Sequence, residues 1–364
     1  MNYKQGQLRK LTKKILTWAN VAVAISLLVS YLAVLVNPEK VVFPAYFGLA
    51  YPYLLLINLI FLIGWGVKLK KEVLISAIAI IMGLTHMNNY IQFGKKKTGE
   101  FDFSIASYNV RLFNRWEENK KTEVQVIALL EQALPDIICF QEFYPTYGIR
   151  NVEFTFVDAL DPDYYFHMKL LDESGKKSPG ILTVSKYPVV SSGDIIHPGS
   201  SSLTIYTDIA AGNDTIRVYN NHLQSFRLRR MEHSLLEEFA DGSDTERMNE
   251  IITLSKSLKK GFVERAGQSR IVKDHINNSP YPVIVCGDFN DTPVSYSYRK
   301  IRRGLNDAFV DSGTGAGFTY KDKYPSNRID YILFDNNFNC EGFELLRVNY
   351  SDHYPIAGFF SFKD

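Results

Sequence analysis

The segment "VIVCGDFNDTP", residues 283–293, decides how most of this chain is read. Val283, Ile284, Val285 and Cys286 form an apolar run of buried-strand length, and Gly287 ends it. Asp288 and Asn290 follow at once, a carboxylate and an amide two positions apart. A buried strand is a rigid post, so polar side chains at its exit are held in a fixed direction.

Working outward, the same pattern recurs. "SIASYNV" (104–110) and "DIICFQE" (136–142) are further β-rich runs, with "TEVQVIALLEQAL" (122–134) at helical spacing between them. "YYFHMKL", "GILTVSKYPVV", "SSLTIYTDI" and "TIRVYNNHL" follow as strands. The polar segment "EEFADGSDTE" then precedes a long helical stretch from Arg247 to about Ile276. "YPVIVCGDF", "RIDYILFD", "FELLRVNY" and "YPIAGFFSF" return to strands. So many strands with few helices exceed a simple doubly wound sheet. They predict an α/β (α+β) domain in which two packed mixed sheets are flanked by helices, a four-layer sandwich.

The strand exits are unusually polar: Asn109, Gln141 and Glu142, His222, Asp288 and Asn290, Asp330, and the "SDH" triplet at 351–353. Each alone has an ordinary explanation, since Asn and Asp favour turns by bonding their own backbone. As a set gathered on one sheet edge, the carboxylates would repel unless a cation sat among them. Hard oxygen donors with imidazoles nearby suit Mg²⁺ or Mn²⁺. Arg265, Gln268 and Arg270 in "ERAGQSR" are read as a solvated helix face rather than a phosphate contact. His86, His167, His197, His233 and His275 are read as structural or surface residues, and Cys139 and Cys286 as small hydrophobes in buried strands.

The first 94 residues differ in kind. Residues 15–36 and 41–67 are uncharged and long enough to cross ~30 Å of hydrocarbon, and residues 73–93 are expected to make a third span despite His86, Asn88 and Asn89. A cleaved secretory signal would have a shorter apolar region. Lys and Arg concentrate before the first span (Lys4, Arg9, Lys10, Lys13, Lys14) and between the second and third (Lys68, Lys70, Lys71), with only Lys40 between the first two. That asymmetry puts the N-terminus inside and, with three spans, residues 95–364 outside the cytoplasm, although Lys95, Lys96 and Lys97 run against the trend. With two spans the domain would be cytoplasmic. The whole chain carries 41 basic and 39 acidic residues, of which 9 and 2 fall in the first 94, so the remaining 270 carry 32 and 37, a net charge of −5. Proteins that grip duplex DNA through its phosphates show the opposite balance.

"SYNVRLF", "ICFQE", "NNHLQS", "VCGDFNDTP", "RIDYIL" and "SDHYP", in this order, resemble the motif series of the endonuclease/exonuclease/phosphatase superfamily, over residues 101–364. The superfamily includes deoxyribonucleases, apurinic-site endonucleases, neutral sphingomyelinases and inositol polyphosphate 5-phosphatases; membrane-anchored bacterial members with a few N-terminal spans are nearest in style. The resemblance implies Glu142 as principal metal ligand, with Asn109 and Asp352 in support and Mg²⁺ or Mn²⁺ as the ion. Asp288 and Asn290 would orient and deprotonate the attacking water, Asp330 would hold His353, and His222 would donate to a phosphate oxygen. The expected activity is hydrolysis of a phosphodiester or phosphomonoester at the outer face of a bacterial inner membrane. A lipid head group or other small phosphodiester is the first substrate class. A nuclease acting on DNA or RNA, or a catalytically inactive membrane-bound binding module, are the alternatives.

Overall fold

The computed structural model describes residues 2–94, 99–116, 122–133, 135–144, 163–172, 178–212, 214–226, 244–321 and 327–363. His233, Lys95 to Lys97, residues 237–243 of the polar segment and Asp364 lie outside the described residues.

Helices α1 (Asn2–Leu32), α2 (Phe43–Leu49), α3 (Tyr51–Val67), α4 (Val73–Met82) and α5 (Leu84–Met87) come first. After the short strand β1 (Ile91–Gln92) come β2 (Phe103–Asn109), helix α6 (Thr122–Ala133), β3 (Ile137–Phe143), β4 (Tyr165–Leu170), β5 (Gly180–Ser185), β6 (Val189–Ile195), β7 (Leu203–Ala211) and β8 (Asp214–His222). The long helix α7 (Asp244–Asn277) leads to β9 (Val283–Asp288), α8 (Tyr296–Arg302), β10 (Asn306–Asp307), α9 (Ala308–Ser312) and β11 (Gly315–Ala316). The chain closes with β12 (Asp330–Phe334), β13 (Phe338–Leu345) and β14 (Ile356–Phe362).

Two mixed six-stranded sheets result, ordered β10-β12-β9-β8-β7-β6 and β13-β14-β2-β3-β5-β4. Strand alternation builds the layers. On β2 and β3, Phe103, Ile105, Ile137 and Cys139 face Ile216, Val218, Ile284 and Ile332 of the other sheet, which makes the inter-sheet core. Their neighbours Ala106, Tyr108, Ile138 and Phe140 face outward onto Val126 and Leu130 of α6. On the opposite side, Tyr219, Val283, Val285 and Leu333 pack under Val272 and Ile276 of α7 and Tyr298 and Ile301 of α8. The order is helix, sheet, sheet, helix, as the sequence implied. Cys139, Cys286 and Cys340 are all buried.

Some boundaries differ from expectation. "GILTVSKYPVV" is two strands, β5 and β6, belonging to different sheets. "FELLRVNY" is a strand only at its start, because β13 begins upstream where Phe338 and Cys340 enter the inter-sheet core. In α7, Arg265 and Gln268 are buried rather than solvated. Arg265 bonds Asp291 and the Gln224 carbonyl, while Gln268 bonds Gln224 and the hydroxyls of Ser200 and Ser202. Only Arg270 lies at the surface, paired with Glu39.

At the N-terminal end, one helix segment, Gln7–Leu32, is by itself long and apolar enough to cross a membrane. Helices α2 and α3 pass the same test only together and bend by 67° at Ala50. The stretch expected as a third span is broken: α4 has ten residues and ends at Gly83, where a Cβ would meet the Tyr31 hydroxyl at 2.1 Å. The chain then turns through α5 toward the two-sheet domain, because Asn89 is bonded to both Arg302 and Arg328. Inside the bundle Ser76 donates to Asn20 at 2.6 Å and contacts Asn58 at 3.0 Å, polar links that tie α1, α3 and α4.

Candidate active site

Register brings the polar residues together. Asp288, the last residue of β9, lies opposite Asp330 on antiparallel β12 and beside His222 on parallel β8. Gly287 is obligatory in this arrangement: its φ is +129°, and a Cβ there would stand 2.0 Å from the Asn221 carbonyl. From the facing sheet, Asn109 ends β2 next to Gln141 of β3. The two sheets are locked beneath them by buried amides, with Gln141 Nε2 donating to Asn220 Oδ1 at 2.7 Å and Asn220 Nδ2 donating to the Phe140 and Leu182 carbonyls.

One oxygen is the hub. Asp288 Oδ2 accepts from Asn109 Nδ2 at 3.0 Å and Asn290 Nδ2 at 3.1 Å. It also lies 3.8 Å from His353 Nε2 and 4.0 Å from His222 Nε2. Oδ1 accepts the Asn290 backbone N–H at 2.8 Å. Burial raises the Asp288 carboxyl above the ordinary range against the pull of His353, and the Asp330 charge adds to the rise.

Behind the hub, His353 Nδ1 meets Asp330 Oδ2 at 2.9 Å and Oδ1 at 3.1 Å. Asp330 is set by Thr319, whose hydroxyl accepts the Ile329 and Asp330 N–H groups. His353 is set by Ser351, which accepts its N–H at 3.2 Å and donates to the Asn109 carbonyl at 2.8 Å. Burial works against charge on His353, but Asp330 and Asp288 outweigh it and lift the ring to about 9. The unit is an imidazolium between two carboxylates.

His222 and Glu142 complete the cleft. His222 Nε2 is 3.7 Å from Glu142 Oε1 and, among the described residues, has no hydrogen-bond partner. A buried ring nitrogen with no hydrogen-bond partner suits an oxygen of an incoming anion. Asp352 lies farther out, with Oδ2 3.8 Å from Arg111 Nε. Asn109 is oriented from both sides, its Oδ1 accepting from Arg111 N at 3.0 Å with a second lone pair to spare while its amide nitrogen holds Asp288. Hard donors for a cation are the carboxylates here, since a charged His353 has no free lone pair: beside the half-buried Glu142 carboxylate, the ligand atoms of Asp288, Asp330 and His353 lie within 4.8 Å of one another. That geometric cluster shares no residue with the sequence-derived set of Asn109, Glu142 and Asp352, because spacing along the chain does not reveal that β9 and β12 are partners.

Backbone strain gathers here. Among the described residues, those other than glycine with positive φ are Leu69, the run Arg111 to Asn114, Glu142 and Asn290. All but Leu69 stand at exits of β2, β3 or β9. Such conformations cost about 1–3 kcal/mol each and persist where the surroundings over-determine them. Sequence reasoning missed the supports Arg265 and Asp291. Arg265, fully buried, donates to Asp291 Oδ2 at 3.0 Å and to the Gln224 carbonyl at 2.7 Å, joining the loops that carry Asn290 and His222. An acid directly after "GDFN" was the available signal.

A model for the Endonuclease/Exonuclease/phosphatase family matches residues 106–353, and a model for a domain of unknown function matches residues 13–90. No curated protein matches the chain. Among solved structures, an endonuclease/exonuclease/phosphatase family protein from Leptotrichia buccalis is 17% identical, with a TM-score of 0.51 over 71% of this chain and 100% of that one. One from Bacteroides thetaiotaomicron is 15% identical, with a TM-score of 0.54 over 72% and 98%. D. rerio TDP2 humanized by 14 mutations is 17% identical, with a TM-score of 0.51 over 71% and 98%. At these identities the likeness is one of fold. Residues 106–353 hold every residue of the cleft, and by that match the chain belongs to the endonuclease/exonuclease/phosphatase family.

Proposed function

We propose that this protein is a membrane-anchored, divalent-metal-dependent phosphoesterase that hydrolyses a phosphodiester or phosphomonoester by attack of an activated water. The observation that carries the reading is the hub at Asp288 Oδ2, where two amides and two imidazoles from four strand ends surround one buried carboxylate. Its raised pKa makes it a better base, and the amides of Asn109 and Asn290 fix the lone pair that takes the water's proton. His353, charged and oriented by Asp330, presents its Nε2–H to a phosphoryl oxygen. His222 offers its unpaired nitrogen to another phosphate oxygen. Glu142, Asn109 and Asp352, with the Asp288 cluster beside them, would hold Mg²⁺ or Mn²⁺, which neutralises charge on the equatorial and leaving oxygens.

The anchor, residues 1–94, and the catalytic domain, residues 95–364, are proposed as separate units, and three passes with the domain outside the cytoplasm fit the packing. Lys13 pairs with Glu72 at one end of α1, and Tyr31 near the other end bonds Ala79 of α4. Thus α4 and α5 run beside the C-terminal half of α1, and the 68–71 basic turn stands on the side of Lys13, with Arg9, Lys10 and Lys14 around it. All these cations lie away from the domain, as the positive-inside rule asks.

A nuclease remains the second reading, on the fold shared with D. rerio TDP2, which is known in complex with single strand DNA product. The deciding experiment is a panel of lipid, small diester and oligonucleotide substrates on the full chain, with Mg²⁺, Mn²⁺ and chelator. Metal-dependent release from small or lipid esters is expected. Turnover of oligonucleotides alone would favour the nuclease, and no turnover of any class would leave only the binding-module reading.

A further inference from the structure

A cavity of about 770 Å³ lies where the anchor meets the catalytic domain. Val34, Leu35 and residues of the α5 turn wall one side; α8 and the turn after it wall the other. Four lining side chains, Arg299, Lys300, Arg302 and Arg303, are cationic and none is acidic. None of the eight candidate site residues lines it. In a domain with a net acidic sequence this concentration of cations needs a counter-charge. Arg302 is fixed by bonds to Asn89 and the Tyr298 hydroxyl, both 2.7 Å. Arg299 and Arg303 are exposed, and no ion pair engages them or Lys300 among the described residues. Buried Lys273 stands near the cluster, its pKa held below the usual lysine range by burial and by Lys300 and Arg303.

Position and apolar surroundings select the anion. The cavity is level with the domain-side ends of α1 and α4, which is the membrane–water interface on the reading proposed above. Leu35, in its wall, is 64% exposed, and Leu32, Ile81 and Leu84 continue an exposed apolar surface down the anchor. A free phosphate would have no use for that surface, whereas a phospholipid would lay its chains along it. We propose that the cavity binds an anionic phospholipid, its phosphate on Arg299, Lys300 and Arg303 and its chains against Leu35 and Leu84. The inference rests on the membrane placement above and not on the chemistry of the catalytic cleft.

The test uses the full chain in phosphatidylcholine micelles, with phosphatidylglycerol added and retained lipid counted by native mass spectrometry. The wild type should retain phosphatidylglycerol over phosphatidylcholine by ~10-fold or more. The double variant Arg299→Gln, Arg303→Gln should lose that preference while hydrolysing a soluble diester at the wild-type rate. Equal retention of both lipids by the wild type, or unaltered preference in the double variant, overturns the proposal. So does displacement of the lipid by an equal concentration of glycerol phosphate, which would mark a free-phosphate site. A chain that retains phosphatidylglycerol but hydrolyses nothing keeps this inference and removes the phosphoesterase reading.

Discussion

A buried carboxylate needs partners, and Asp288 draws them from four strand ends; the chemistry of the cleft follows from how those partners are themselves held. Asp330 fixes His353 through two contacts near 3 Å, so removing either should disable one unit. Asp330→Asn and His353→Ala are each expected to lower turnover by ~10²-fold or more, with the double variant little worse than the poorer single one, since groups acting together are grossly non-additive. Multiplicative losses in one assay, with both singles folded, would show that the two work independently. Glu142→Gln removes a charge beside His222 without changing shape, and activity should fall by orders of magnitude at saturating Mg²⁺. Near-wild-type turnover would take Glu142 out of the metal site. Behind the cleft, buried His197 bonds Thr204 at 2.9 Å, and burial pushes its pKa down to about 4. Above pH 6.5 it is neutral folded or unfolded. As pH falls from 6.5 toward 4 the unfolded chain takes a proton that the folded one refuses, so stability is lost across that window, by roughly 3 kcal/mol at most. Urea midpoints at pH 7.5 and 5 should differ less in His197→Gln; an equal drop would assign the loss to other groups.

At the scale of elements, α7 does more than cover a sheet. Its buried Arg265 ties the loop after β8 to the loop after β9, and Asp291 also accepts from the Ser297 hydroxyl. These are positioning residues, one step removed from the reacting atoms. Asp291→Asn is expected to lower kcat by ~10²-fold with KM little changed, because a small misplacement of Asn290 is costly where binding is not. Arg265→Lys should recover part of what Arg265→Met loses. A folded Asp291→Asn variant with normal kcat would reduce the pair to a structural bridge. The sequence reading of this face as solvated failed for a physical reason. A polar helix of 34 residues has a weak apolar stripe, and whether a given arginine is buried depends on which loops lie against it. Conversely, the alternation in "RIDYILFD" separates Ile332 and Phe334 from Tyr331 and Leu333 on opposite faces, and the packing puts the first pair in the inter-sheet core and the second in the layer under α8.

Across the whole molecule, the N-terminal helices and the two-sheet domain meet over polar and close-packed contacts. Gly48 packs so closely on Val294 that a Cβ would stand 2.3 Å from its carbonyl, and Arg328 donates to the Asn89 carbonyl at 2.9 Å. Val294 lies four residues beyond Asn290, so the segment that follows β9 itself touches the N-terminal helices. With three passes and the N-terminus inside, a phosphatase reporter fused after Asp364 should be active in a bacterial host and a cytoplasm-dependent fluorescent reporter dark. The reverse would mean that residues 73–93 do not complete a pass and that substrates are drawn from the cytoplasm.

The four layers, the long helix, the apolar N-terminal region and the polar residues at strand ends were legible in the sequence, because each is encoded by local periodicity or by polar residues at the ends of apolar runs. Strand partnership was not. That β9 lies between β8 and β12, and so surrounds Asp288 with His222 and Asp330, depends on contacts far apart in the chain. The break at Gly83 also required the structure: it is set by the Tyr31 ring of another helix and by arginines more than two hundred residues downstream, which draw Asn89 out of the apolar bundle. Local pattern fixes which side chains can be buried; only packing decides what each one meets there.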